Sequence, residues 1–173
     1  MDIQIFENNT LRIKSKKTTI ALNPKKEVSK FDADAILLND INYDTSRVNN
    51  YRIIIDAAGE YEISGLKISA ISSGENILYG LSSEETNTLI ANASSLNETL
   101  KDKLSEYQVV IINVDSDLNQ SVVTAIEPRI VVLYGNKKLE GAKLLGKENA
   151  PKSSKISLSE DKFPEELDVM LLG

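Results

Sequence analysis

The sequence predicts an α/β chain of the α+β kind, with two mixed β-sheets packed face to face and helices outside them. Two observations carry this. Up to residue 91 the apolar residues alternate with polar ones or form short runs of strand length. From residue 96 onward, helix-spaced leucines and valines are interleaved with fully apolar strands. Strands first, then strands alternating with helices, suit two sheets better than one doubly wound sheet. With 173 residues and no repeat, low-complexity tract or linker, residues 1–173 read as a single domain long enough for a proper core.

Ile3 and Ile5, Leu11 and Ile13, then Ile20 and Leu22 alternate with polar neighbours. They predict a meander of three antiparallel strands, with Asn8-Asn9 as a tight turn. Asn23-Pro24-Lys25-Lys26 ends the meander, and 25–33 reads as a polar loop with room for one helical turn. Residues 35–38 form an apolar strand, and Ile53-Ile54-Ile55 reads as a strand buried on both faces. Tyr61 and Ile63, then Leu66, Ile68 and Ala70, supply the inward positions of two strands around Gly65. Residues 77–81 and 88–91 predict two further strands around a hairpin loop at 82–87. Leu96, Leu100, Leu104 and Tyr107, spaced by four and three, predict a helix with a polar face over 97–106. Residues 109–114 and 130–134 are apolar strands. Between them lies a helix carrying Leu118, Val122, Val123 and Ile126, with Asp117 expected as its N-cap and Pro128 as its stop. A short helix at 139–147, weakened by Gly141, and closing strands at 156–158 and 167–172 complete the chain.

Composition excludes several chemistries. The chain has no cysteine and no histidine. Disulfides, thiolate nucleophiles, iron–sulfur clusters, Ser-His triads and imidazole–zinc centres are therefore ruled out. A net charge of −6 argues against nucleic acid or an anionic membrane as partner, and the lysine clusters are too short for a basic face. No apolar run reaches bilayer length, and Met1 leads straight into a polar, alternating strand, so a cytoplasmic location is the default expectation.

The stretch most suggestive of a site is 34–46. An apolar strand ends abruptly there in a loop holding the carboxylates Asp40 and Asp44 and the amides Asn39 and Asn42. In open α/β architectures chemistry collects past the carboxyl ends of such strands. The same residues are also the ordinary capping residues of turns. Asp115 and Asp117 follow another strand and have the same two readings. Glu60 and Glu62 share one strand face at about 7 Å; they read either as an acid–base pair or as a solvated face. The serines at 72–73 and 94–95 lack the pattern of a phosphate loop and read as turns.

The segments, taken in order, resemble the metallo-β-lactamase superfamily, in particular its small branch of predicted Zn-dependent hydrolases related to ascorbate-6-phosphate lactonase. The motif Gly59-Glu60-Tyr61-Glu62, with Gly65 following, is similar to that branch's Gly-Glu-Tyr-Glu segment. Glu127-Pro128 with the strand after it, and Phe163-Pro164 with the tail, fall in matching order. The resemblance implies an αββα sandwich. It also implies a metal site at Thr-His-x-His-x-Asp-His, and here the chain departs from the pattern. Aligned on Tyr43-Asp44, the three histidine positions hold Asp40, Asn42 and Thr45, and only Asp44 matches a ligand. The family's central Gly-Asp falls within 91–95, which has no carboxylate, and its last histidine falls at Leu133. Gly59, Glu60, Tyr61, Glu62 and Gly65 are then scaffold residues.

The leading expectation is a catalytically inactive protein of this fold, a binding or assembly module for an unidentified protein or small molecule. No cofactor and no zinc are expected, and no catalytic residue is assigned. Two alternatives stand beside it. One is a hydrolase with an oxygen-only Mg²⁺ or Ca²⁺ site at Asp40 and Asp44. The other is a structural homodimer.

Overall fold

The computed structural model describes residues 1–84, 86–104 and 106–173, all but the side chain of 102. In chain order the first strands are β1 (Asp2–Ile5), β2 (Leu11–Lys14), β3 (Thr19–Leu22), β4 (Phe31–Asp32), β5 (Ala35–Leu37), β6 (Val48–Asn49) and β7 (Ile53–Ile55). There follow β8 (Gly59–Ile63), β9 (Leu66–Ser73), β10 (Asn76–Ser82), β11 (Asn87–Asn92) and β12 (Val109–Asn113). Helix α1 (Gln120–Ile126), β13 (Ile130–Tyr134), helix α2 (Lys138–Leu144), β14 (Lys152–Ser153), β15 (Lys155–Ser157) and β16 (Asp168–Leu172) end the chain.

The alternation read from the sequence builds the first sheet, ordered β15-β1-β2-β3-β5-β7. Ile3 faces Ile13 and Ile13 faces Ile20, so the apolar residues of the meander share one face. Beyond β3 the pairing turns parallel, through β5 to β7. The second sheet runs β14-β16-β13-β12-β11-β10-β9-β8. Its antiparallel half is β8 to β11, and its parallel half is β11, β12, β13 and β16. Both sheets are mixed, as expected. Between them lies an Ile, Leu and Val core that includes Ile3, Ile20, Leu37, Ile68, Tyr79, Ile111 and Val132.

Successive residues of β13 point to opposite faces. Val132 and Tyr134 enter the core between the sheets, while Val131 and Leu133 enter a second core beneath α1, α2 and the 94–104 segment. The outer face of the first sheet is covered by the two-stranded β4–β6 ribbon and its loops. Ala21, Val28, Phe31, Ile36, Leu38 and Val48 form a third cluster there, with Phe6 stacked on Phe31 at 5.0 Å.

Several local expectations are corrected. Leu96, Leu100 and Leu104 are buried at their spacing of four, yet the segment forms 3₁₀ turns at Ala93–Ser95 and Glu98–Lys103 rather than an α-helix. Asn97 explains this: its Oδ1 accepts from both Thr99 N and Thr99 Oγ1, drawing the backbone into a local turn. The three leucines then anchor short turns against the sheet. Ser105, within the expected polar face, lies outside the described residues, as does Glu85 of the 82–87 hairpin loop. Helix α1 is capped by Asn119, whose Oδ1 accepts from Val122 N, and not by Asp117. The Asp117 carboxylate pairs with Lys137 at 2.7 Å instead. Strand β7 closes an edge of the first sheet, which leaves Ile54 37% exposed rather than buried on both faces. Residues 31–32 of the expected polar loop pair as β4.

The glutamates of β8 form a strand face and not a converging pair. Glu60 Oε1 accepts from Ser69 Oγ on β9 at 2.7 Å, and Glu62 is exposed. Ser64 and Gly65 turn β8 into β9 with φ of 52° and 85°. Two successive positive φ values match the twist of the hairpin, and Gly65 adopts its value without strain.

Candidate functional site: an amide cluster at the strand ends

The carboxyl ends of β3, β5, β11 and β12 converge on one rim, and each strand exits into an asparagine: Asn23, Asn39, Asn92 and Asn113. Asn23, Asn39 and Asn92 are each 5% exposed. Their side chains form a chain of hydrogen bonds. Asn23 Nδ2 donates to Asn39 Oδ1 at 2.5 Å, and Asn39 N donates to Asn23 Oδ1 at 2.9 Å. Asn92 Nδ2 donates to the Asn39 carbonyl at 3.0 Å, which ties the second sheet to the first. Asn113 Nδ2 donates to Asn92 Oδ1 at 3.2 Å. Asn23 has φ 46°, in the left-handed region that asparagine tolerates better than most residues. Gly135, just past β13, has φ 90°, and a Cβ there would lie 2.3 Å from Asn113 Oδ1. Only glycine allows Asn113 this approach.

These amides went unnoticed in the sequence, apart from Asn39. The available signal was the repeated exit of an apolar run into Asn, at Leu22-Asn23, Leu38-Asn39, Ala91-Asn92 and Ile112-Asn113. Asn92 falls in the stretch where the resemblance places a carboxylate ligand. It keeps that shape with a neutral group, which costs less to bury than a carboxylate.

The loop after Leu38 is folded back on residues 24–26. Asp44 N donates to the Pro24 carbonyl at 2.8 Å, and Arg47 Nε donates to the Lys26 carbonyl at 2.8 Å. Lys25 Nζ pairs with Asp40 Oδ2 at 2.7 Å and also donates to the Asn42 carbonyl. Asp40 Oδ1 accepts from Asn42 N. Burial pushes the Asp40 carboxyl up, but the hydrogen bonds from Lys25 and Asn42 N and the Lys25 charge outweigh it, so the carboxyl stays below its ordinary range. Asp44 Oδ1 accepts from Ser46 N and caps the 3₁₀ turn Thr45–Arg47, and the Ser46 bonds hold its carboxyl low. Both acids are thus engaged as turn and pairing groups. Asp115 is likewise used locally, accepting from Ser94 N at 3.0 Å and Ser94 Oγ at 2.6 Å.

Leu133 faces the helix-side core, with its Cδ1 near Gly141, so the cleft side of β13 is taken by Tyr134. Tyr134 is fully buried and its hydroxyl has no partner among the described residues; the same holds for Asn39 Nδ2. Burial, then the charges of Asp115 and Asp40, push the Tyr134 hydroxyl well above its ordinary value.

This donor set does not fit the zinc that the resemblance implies. Its oxygens are neutral amides, a carboxylate held by an ammonium, and a carboxylate capping a turn. Among the described residues no three Asp or Glu side chains are grouped to hold a metal ion, and the chain has no His or Cys. Neither the amides nor the low-lying carboxyls provide a general base poised near neutrality. Among the described residues, no helix is long and apolar enough to cross a membrane.

Two face-to-face mixed sheets whose strand ends meet at one rim, with α1 and α2 behind the second, make the metallo-β-lactamase fold. Solved structures agree. A presumed Zn-dependent hydrolase of the metallo-β-lactamase superfamily from Thermotoga maritima aligns over 99% of this chain and 98% of its own, with a TM-score of 0.78 and 17% identity. An isothiocyanate hydrolase from Delia radicum gut bacteria aligns over 92% of this chain and 100% of its own (TM-score 0.65, 11% identity). The metallo-β-lactamase fold protein YhfI from Bacillus subtilis aligns over 98% of this chain and 95% of its own (TM-score 0.58, 8% identity). At these identities the likeness is one of fold. No protein-family model matches the chain, and no curated protein matches its sequence.

Proposed function

We propose that this chain is a non-catalytic member of the fold, a binding or assembly module whose ligand surface is the cleft over the strand ends. One observation carries the reading: the Lys25 ammonium lies on Asp40 and Asn42, within the loop where the resemblance places metal ligands. A tethered cation there neutralises the loop without offering an exchangeable position for water or substrate. The amides of Asn23, Asn39, Asn92 and Asn113 continue the same logic, hydrogen-bonding across the rim without charge. A hydrolase with an oxygen-only metal site would need Asp40 and Asp44 free, and a divalent ion would have to displace Lys25.

The test is metal analysis of the purified chain after incubation with zinc, magnesium and calcium. Hydrolysis assays follow on a lactone, a phosphoester and an isothiocyanate, the last being the substrate class named for one structural neighbour. The expected result is substoichiometric metal and no turnover above buffer. Stoichiometric zinc with zinc-dependent hydrolysis would sink the proposal.

A further inference from the structure

The cleft beside the amide cluster has a volume of about 510 Å³, enough for a monosaccharide or a small disaccharide. Its walls carry the amides of Asn8, Asn9, Asn23, Asn113 and Asn136. The remaining lining residues, Lys25 and Asp40, are paired with each other at 2.7 Å. We infer that this cleft binds a small neutral polyhydroxylated ligand, a sugar or sugar alcohol. The inference rests on the non-catalytic reading above, since it takes Lys25 and Asp40 as a fixed pair.

Three features specify that class. An amide carries both donor and acceptor capacity, as does each hydroxyl of a polyol, and Asn8, Asn23 and Asn113 keep part of theirs after bonding to Glu27, Asn39 and Asn92. The wall therefore matches a ligand rich in groups of dual character. The charged pair in the lining cancels internally: an anion would have to take Lys25 from Asp40, and a cation would have to take Asp40 from Lys25. Among the described residues the lining contains no aliphatic or aromatic side chain, which removes the platform a nucleobase or an apolar molecule needs.

The wall also has unused capacity. Among the described residues the side chains of Asn9 and Asn136 make no hydrogen bond, although both line the cleft. Asn9 is held at φ 61°, a conformation that fixes the loop backbone before any ligand arrives. Behind the wall, Asn39 holds the lining residue Asn23 in place: Asn23 Nδ2 donates to Asn39 Oδ1 and Asn39 N donates to Asn23 Oδ1.

The experiment is a ¹H–¹⁵N titration of the full chain, following side-chain amide signals. The probes are glucose, ribose and mannitol, with glucose 6-phosphate and glucosamine as charged comparators and zinc content measured on the same sample. The expected result is saturable binding of at least one neutral probe, with a Kd of about 1 mM or tighter. The signals of Asn9, Asn113 and Asn136 should shift. Asn9→Gly, which suits the positive φ, and Asn136→Ala should each weaken binding roughly tenfold while leaving the melting temperature unchanged. Absence of saturable binding, tighter binding of a charged comparator, or indifference to both substitutions would overturn the inference. The non-catalytic reading would then still stand if the sample is zinc-poor. Zinc-dependent turnover of a probe would overturn both.

Discussion

The Tyr79 hydroxyl lies 2.6 Å from the Leu38 carbonyl oxygen and 3.2 Å from the Leu38 amide nitrogen, although Tyr79 belongs to β10 and Leu38 directly follows β5 of the opposite sheet. The same hydroxyl lies 2.8 Å from the Ile55 carbonyl at the end of β7. One buried side chain thus holds two strand ends of the first sheet at the point where the candidate cleft begins.

Tyr79→Phe removes that donor and leaves the Leu38 carbonyl short of a partner. The expected cost is about 1 to 2 kcal/mol in urea unfolding. Burial pushes the Tyr79 hydroxyl well above its ordinary value of 10.0, more than the bonds to Leu38 pull it down. The folded state therefore keeps its proton where the unfolded state has lost it, so stability falls as pH rises above that value. Tyr134 contributes in the same direction. The alkaline loss should be shallower in Tyr79→Phe and in Tyr134→Phe, and an unchanged slope in both would refute the assignment.

Asn92→Asp tests why the rim is built of amides. The substitution removes the Nδ2 donor to the Asn39 carbonyl and places a charge at a site 5% exposed. We expect a loss of about 3 kcal/mol at neutral pH. The introduced carboxyl is pushed up by burial, so the deficit should grow as pH rises above about 3.9 and shrink below it, where the protonated group donates again. Unfolding curves at acid and neutral pH distinguish this from a pH-independent packing defect.

Gly135→Ala places a Cβ 2.3 Å from Asn113 Oδ1 at φ 90°. The expected cost is about 3 kcal/mol, part backbone strain and part displacement of Asn113. In an Asn113→Ala background the Asn113 clash is gone, and the strain and the close approach to Val114 N and O, at 3.2 and 3.3 Å, should remain, about 1 to 2 kcal/mol. A double-mutant cycle on thermal unfolding measures the difference.

Lys25→Met leaves Asp40 without its ammonium. The Asp40 carboxyl, now below its ordinary value of 3.8, should move up. A lowered folded value stabilises above the unfolded value and is lost as pH falls through the folded one. The variant should therefore be weakest against the parent at neutral pH and converge with it in acid. Carboxyl-carbon NMR titration reads the shift directly.

The sheets were legible because alternation survives as a local signal. Ile3, Ile13 and Ile20 announce their shared face without any knowledge of the partner strands. Over 96–104 the backbone departs from the expected helix because leucines spaced by four specify which side is buried and not which backbone carries them; Asn97 and Thr99 decide that. The site was less legible still. Each of Asn23, Asn39, Asn92 and Asn113 looks alone like a turn residue, and only the topology brings 23 and 39 beside 92 and 113. Lys25 read as half of a short basic pair, because its partner Asp40 lies fifteen positions away across a loop. Asp40 and Asp44, in contrast, turned out to cap and pair as loop acids usually do.

The pairing of β1 with β15, sealed by the Met1 amine donating to the Leu158 carbonyl at 2.7 Å, sets the order in which the molecule can be made. A ribosome delivers β1, β2 and β3 long before β15, the strand that covers their outer margin. During synthesis the early meander must wait with β1 unpaired on one side, open to any passing strand. A chain stopped before Lys155 should persist in that state, prone to associate with its own kind, and refolding of the whole chain should be slow for its size because its closing contact spans nearly its entire length.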